Sequence, residues 1–212
     1  MRLSMINRFN FATALLLIDL QKGVNNLNHW GGIAGRRNNP GAEAAIARLL
    51  TAFRGAGLSV IYTRHDSREA SSPLKIGQPG GEFIEPLVPR KGEFVVSKDV
   101  NSAFLGTGLE LVLRRQGINR LVVAGFFTNF CVETTVRMAG NMGYDTYLVP
   151  DACATTNRVG FDGVDRDPEE LHAAAVGNMH GEFCTALALH DALALVTADM
   201  VSLQRVQGNE QR

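Results

Sequence analysis

The sequence predicts an α/β fold: a three-layer sandwich with a central, mostly parallel six-stranded sheet and helices on both faces. Three observations point there. Short apolar runs alternate with segments of helical periodicity, the pattern of strand–helix–strand units. Runs such as Leu15 to Ile18 and Leu121 to Ala124 are apolar at consecutive positions, as strands covered on both faces require. Chemically capable residues, among them Asp19, Lys98 and Cys131, stand at or just beyond the ends of such runs, where parallel sheets gather their ligand sites.

The elements follow in order. After a tail over residues 1–11, Ala12 to Ile18 reads as a buried first strand closed by Asp19. Arg2 and Arg8 before this run superficially suggest a leader peptide, but the run is short and no small-x-small cleavage site follows. Residues 25–39, rich in Asn and Gly and holding Trp30, read as a loop. Pro40-Gly41 open a helix to about Arg54, with Ile46, Leu49, Leu50 and Phe53 on one face. Leu58 to Thr63 is the second strand, followed by Arg64, His65 and Asp66. Residues 67–92 contain four Pro and four Gly, and a segment of this length reads as lid-like.

Phe94 to Ser97 is a short strand ending at Lys98, and Gly106 to Gln116 a helix with Leu109, Val112 and Leu113 inward. Leu121 to Ala124 is the fourth strand. Past Gly125, Val132, Val136 and Ala139 recur at helical spacing, so Cys131 falls at a helix start. Tyr144 to Val149 is the fifth strand, leading to Pro150-Asp151, and residues 155–167 are a loop. Pro168 begins a helix carrying Leu171, Ala174, Ala175 and Met179; Phe183 to Leu189 is the sixth strand; residues 207–212 are loose.

The chain has 212 residues, 45% apolar and 20% charged, with a formal net charge of zero, which fits one domain over residues 1–212. No basic stripe or acidic tail argues for nucleic acid or a membrane surface. Three scattered cysteines without C-x-x-C spacing fit a reducing cytoplasm and form no zinc pattern.

The strand-end rule brings Asp19, Arg64, His65, Asp66, Lys98, Phe126 to Cys131 and Asp151 to one sheet edge. An acid, a lysine and a thiol at a helix N-terminus make a plausible nucleophilic site, because the helix dipole and a nearby ammonium favour the thiolate. The alternative is an inert buried thiol. Cys153 and Cys184 read as small core residues.

Several motifs then carry a resemblance. They are L-L-I-D-L-Q ending at Asp19 to Gln21, K-D-V-N-S-A-F-L-G-T from Lys98 to Thr107, G-F-F-T-N-F-C-V-E-T-T from Gly125 to Thr135, and D-A-C-A-T from Asp151 to Thr155. In this order, over roughly Ala12 to Thr197, the chain resembles the isochorismatase-like cysteine hydrolases. These include nicotinamidases, N-carbamoylsarcosine amidases, ureidoacrylate hydrolases and biuret hydrolases. The resemblance implies a catalytic triad of Asp19, Lys98 and Cys131. It also implies a cis peptide at Phe126-Phe127 and an oxyanion hole made by the backbone N–H groups of Phe127 and Cys131.

The expected reaction is hydrolysis of a C–N bond in a small amide, ureide or carbamoyl compound through a thioester, with no cofactor. Gln21, His65, Asn101 and Phe104 are candidates for substrate contact; Gln21 and Asn101 fit equally an orienting or loop-bonding role, and Trp30 fits pocket or core. Nicotinamidases of this family carry an Asp-x-His segment with a further His and bind a divalent metal. Here Arg64-His65-Asp66-Ser67 is followed by no second His until His172, so no metal is expected. Expected partners are a small-molecule substrate and other copies of the chain, as a dimer or tetramer. Two alternatives remain: an isochorismatase-type vinyl-ether hydrolase, whose chemistry needs no thiol, and a non-catalytic binding or redox-responsive protein on the same fold.

Overall fold

The computed structural model describes residues 6–197. Six strands form one sheet in the order β3-β2-β1-β4-β5-β8, and every pairing is parallel. They are β1 (Thr13–Ile18), β2 (Ser59–His65), β3 (Phe94–Lys98), β4 (Arg120–Phe126), β5 (Asp145–Ala154) and β8 (Thr185–Ala186). A separate antiparallel hairpin joins β6 (Arg158–Val159) to β7 (Asp165–Arg166). The helices are α1 (Leu27–Trp30), α2 (Ala42–Gly55), α3 (Leu109–Arg115), α4 (Glu133–Asn141) and α5 (Pro168–Met179), and residues 189–197 are helical as well.

The period-two alternation of strand side chains divides the core into two layers. Leu15, Leu17, Val60, Tyr62, Val122 and Ala124 face α2 and the helical residues 189–197. Ala14, Leu16, Ile18, Ile61, Leu121 and Val123 face α3, α4 and α5. The three-layer sandwich follows from that division. Among the described residues no helix is long and apolar enough to cross a membrane.

Several boundaries differ from expectation. The fifth strand continues through Pro150 to Ala154, with a register shift opposite Val123 and Gly125. Asp151 therefore lies within β5, exposed, where its Oδ2 accepts the Leu189 N–H at 2.6 Å and takes no part in the catalytic edge. The sixth strand shrinks to two residues, residues 155–167 hold the hairpin, α3 starts at Leu109 and residues 25–39 include α1. Residues 67–92 are fastened down as a wall, with Leu74 and Leu87 in the core, Gln21 bridged to Phe83, and the Ile84 N–H bonded to the Leu20 carbonyl at 2.9 Å. The loose segment expected at residues 207–212 lies outside the described residues.

This topology sets the site. β2 and β3 lie on one side of β1, and β4, β5 and β8 on the other. The chain order reverses between β1 and β4, and a crevice opens at such a switch point beyond the strand ends. Asp19 follows β1, and Cys131 follows β4.

Candidate active site

Asp19 turns out of β1 with a φ of 52°, a left-handed conformation that Asp tolerates better than most residues. Its side chain is buried and held from two sides. Thr63 Oγ1 donates to Asp19 Oδ1 at 2.6 Å and accepts the Asp19 N–H at 3.1 Å. Lys98 Nζ donates to Asp19 Oδ2 at 2.7 Å.

Lys98 is the last residue of β3, in register with His65 at the end of β2. Its buried ammonium reaches past β2 to the crevice. It lies 2.7 Å from Asp19 Oδ2, 3.0 Å from His65 Nδ1, 3.2 Å from the Val100 carbonyl and 3.3 Å from Cys131 Sγ. An ammonium has three N–H groups, so these four partners cannot all be served at once. A neutral thiol is the weakest acceptor of the four.

Cys131 sits in a π-helical turn, Thr128–Val132, that leads into α4. The turn's start is tied down by Thr155 Oγ1, which donates to Asn129 Oδ1, and by the 2.8 Å contact between Thr128 Oγ1 and His172 Nδ1. The Phe126–Phe127 peptide before it is cis. Phe127 is buried and stacks 5.3 Å from the Trp30 ring, which lies partly in the core. Asn101 is exposed, with Oδ1 3.8 Å from Cys131 Sγ.

The electrostatics are set by burial and by Asp19. Burial pushes the Cys131 thiol's pKa up, the Asp19 charge adds to this, and Lys98 opposes it without prevailing. Lys98 thus acts in the expected direction, toward the thiolate, but burial and the Asp19 charge outweigh it. Burial lowers the Lys98 pKa, but Asp19 and Cys131 outweigh it and the net shift is upward, so the ammonium stays charged. Burial, then Lys98, hold the His65 imidazole below its ordinary range. A neutral His65 accepting from Lys98 through Nδ1 follows.

Two candidates for substrate contact are placed elsewhere. Gln21 is buried, and its amide is spent on the backbone: Oε1 accepts the His65 N–H at 2.7 Å, and Nε2 donates to the His65 and Gly81 carbonyls at 2.9 and 3.3 Å. Phe104 packs in the core against the Tyr144 ring at 5.7 Å, because the chain after Lys98 runs along α4, where Ala103 N–H bonds Thr135 Oγ1. His65 and Asn101 stay beside the sulfur.

Asp19, His65 and Cys131 bring one metal-ligating atom each within 4.8 Å of one another. The Lys98 ammonium touches all three, so the cation of this cluster is the lysine, and the residues present do not fit a divalent ion there. Thr63 and the Val100 carbonyl belong to the site and were not singled out from sequence. The one signal available for Thr63 is a Thr near the end of the strand beside that of Asp19, and strand propensity alone accounts for it.

The chain is similar to known proteins in both sequence and fold. The isochorismatase domain family model matches residues 13–191. An isochorismatase family protein of Bacillus subtilis (strain 168), YrdC, is 36% identical over 82% of this chain and 90% of its own length. The ureidoacrylate amidohydrolase RutB of Azorhizobium caulinodans is 30% identical over 81% of this chain and 84% of its own. A solved structure from Chromobacterium violaceum, assigned to the isochorismatase family, superposes with a TM-score of 0.83 at 45% identity, covering 90% of this chain and 97% of that one. A cysteine hydrolase from Pseudomonas syringae pv. phaseolicola superposes with a TM-score of 0.80 at 25% identity, covering 90% and 95%.

Proposed function

The chain belongs to the isochorismatase family and is a hydrolase, and from that premise we propose that it cleaves a C–N bond of a small amide, ureide or carbamoyl compound through a thioester on Cys131. One observation carries the reading: a single buried ammonium, Lys98 Nζ, joins the Asp19 carboxylate to the Cys131 sulfur. A vinyl-ether hydrolysis needs no such thiol. The amidohydrolase name of one relative supports a C–N substrate.

The proposed sequence uses only these residues. As substrate enters, Asp19 accepts the thiol proton and the nascent thiolate takes up the Lys98 N–H that the neutral thiol could not hold. The thiolate adds to the substrate carbonyl, and the backbone N–H groups of Phe127 and Cys131 receive the oxyanion. Donors in that role are typically worth about 3–4 kcal/mol each. Asp19 returns the proton to the departing nitrogen, which leaves poorly as an anion. Water then attacks the thioester with Asp19 as base, and the thiol re-forms.

The test is intact-protein mass spectrometry during turnover of a panel of small amides and ureides, with Cys131→Ser alongside. The expected result is a transient acyl mass on Cys131 and no turnover by the variant. Full turnover by Cys131→Ser on the best substrate would overturn the reading.

A further inference from the structure

We propose that His172 is a positioning residue for the reaction: through Thr128 it holds the Phe127 N–H and the turn of Cys131 in place around the oxyanion; this rests on Cys131 being the nucleophile and Phe127 an oxyanion donor. Thr128 is the junction between the two. On one side, the Phe127 carbonyl accepts the Phe130 and Val132 N–H groups at 3.0 and 3.2 Å. On the other, the Thr128 carbonyl accepts the Glu133 N–H, which closes the π-helical ring containing Cys131. A rotation at Thr128 therefore moves both N–H donors relative to the sulfur.

Thr128 is fully buried, and among the described residues His172 Nδ1, 2.8 Å from Oγ1, is the one hydrogen-bond partner of its side chain. His172 comes from outside the turn, on α5. That helix is a firm support. Asp167 caps its start by accepting the Glu169 N–H at 2.9 Å, and Arg36 pairs with Asp167 and Glu169. Ala175 and Met179 pack in the same core layer as Cys131 and Val132. Burial holds the His172 imidazole below its ordinary range against the opposing Asp151 charge, so the ring is neutral. A neutral ring offers Thr128 either a lone pair or an N–H, and an Asn side chain in its place can offer either. The second tie, from Thr155 Oγ1 to Asn129 Oδ1, keeps the turn folded without His172 but leaves Thr128 unheld.

The test separates the oxyanion donors from the thiol and needs no known substrate. p-Nitrophenyl acetate reacts with a thiolate by addition at its carbonyl: the S–C bond forms through an oxyanion, and p-nitrophenolate leaves. Iodoacetamide alkylates the same thiolate by displacing iodide, with no oxyanion. Both rates at Cys131 are measured at about pH 9, near the ordinary thiol range. Nitrophenolate release is corrected with Cys131→Ser, alkylation is read by peptide mass spectrometry, and both are normalised to 2-mercaptoethanol. The ratio of the two rates cancels the thiolate fraction. In the wild-type protein normalised acetylation exceeds normalised alkylation. His172→Leu lowers the ratio by about tenfold, less than the about 10²-fold that loss of an oxyanion donor costs, while the iodoacetamide rate holds. His172→Asn restores the ratio. Thr128→Val lowers it equally, and adding His172→Leu to that change costs nothing more; Thr128→Val also supplies the reading if His172→Leu does not fold. A ratio indifferent to these changes, a loss shared by both rates, or a wild-type ratio no higher than that of 2-mercaptoethanol overturns the positioning role and leaves the nucleophile standing. Cys131 unlabelled by both reagents in the native protein, but labelled once unfolded, overturns the nucleophile and this inference together.

Discussion

Lys98 Nζ lies 3.3 Å from Cys131 Sγ, yet the thiol is harder to ionise than an ordinary one. The ammonium is already committed to Asp19 at 2.7 Å, and the Asp19 charge acts on the same sulfur. The resting pair is a neutral thiol beside a carboxylate poised to take its proton. On the proposed mechanism charge separation waits for substrate, so the nucleophile forms when there is a carbonyl to attack.

Alkylation of Cys131 in the substrate-free protein should therefore rise only at pH values above the ordinary thiol range. Asp19→Asn removes the opposing carboxylate, shifts that profile to lower pH and speeds alkylation near neutrality. The same change abolishes proton transfer, so hydrolysis falls by at least about 10²-fold. A wild-type profile with its midpoint below the ordinary thiol value, unmoved by Asp19→Asn, would sink this account.

Thr63 is predicted to matter as much to Asp19 as Lys98 does to the thiol. Thr63→Val keeps the shape of the side chain but leaves the Asp19 N–H and Oδ1 without their partner. Unfolding free energy should drop by about 1–3 kcal/mol, the usual range for a buried polar group left unmatched, and kcat should fall with KM little changed. Thr63→Ser should restore both. Chemical denaturation and steady-state kinetics on the three proteins decide the matter.

His65 sets the acid side of stability. Its folded pKa lies below the ordinary 6.5, through burial first and the Lys98 charge second, so the unfolded chain binds the proton first as pH falls. The stability this group contributes is present above about 6.5 and is lost as pH falls through that value toward the folded pKa. Thermal unfolding between about pH 7.5 and 5.5 should show the wild-type midpoint falling more steeply than that of His65→Asn. Parallel curves would refute it.

The central strands were legible because burial on both faces forces unbroken apolar runs, and β1, β2 and β4 have them. Asp19, Lys98 and Cys131 were legible because each stands at a strand end or just past one, where the chain must leave the sheet. The extent of β5 was not: Pro150 and Asp151 read as a terminator, whereas the structure absorbs them beside a register shift. Proximity in sequence to Lys98 could not say which way the Phe104 ring points, since that depends on the path of residues 99–104 over α4. Thr63 was hidden because a Thr in a strand satisfies β propensity without further reason.

Gly125 makes the strand-to-site coupling testable. It pairs with Ile18, the residue before Asp19, at a φ of 131°. A Cβ built there would lie 2.1 Å from the Ile18 carbonyl oxygen and 2.7 Å from its nitrogen. These are backbone atoms of a central strand and cannot swing aside, so Gly125→Ala must part β1 from β4 where the crevice opens. Overpacking of this kind costs about 1–3 kcal/mol, and a shift of about 1 Å between Asp19 and Cys131 costs about 10²-fold in kcat/KM. Gly57→Ala is the control: it too has positive φ, at 66°, but no atom stands within 4 Å of its Cβ. It should lose about 1 kcal/mol of stability and keep full activity. If Gly125→Ala behaves like Gly57→Ala in both denaturation and kinetics, the close approach of the two strands does not hold the acid and the thiol in place.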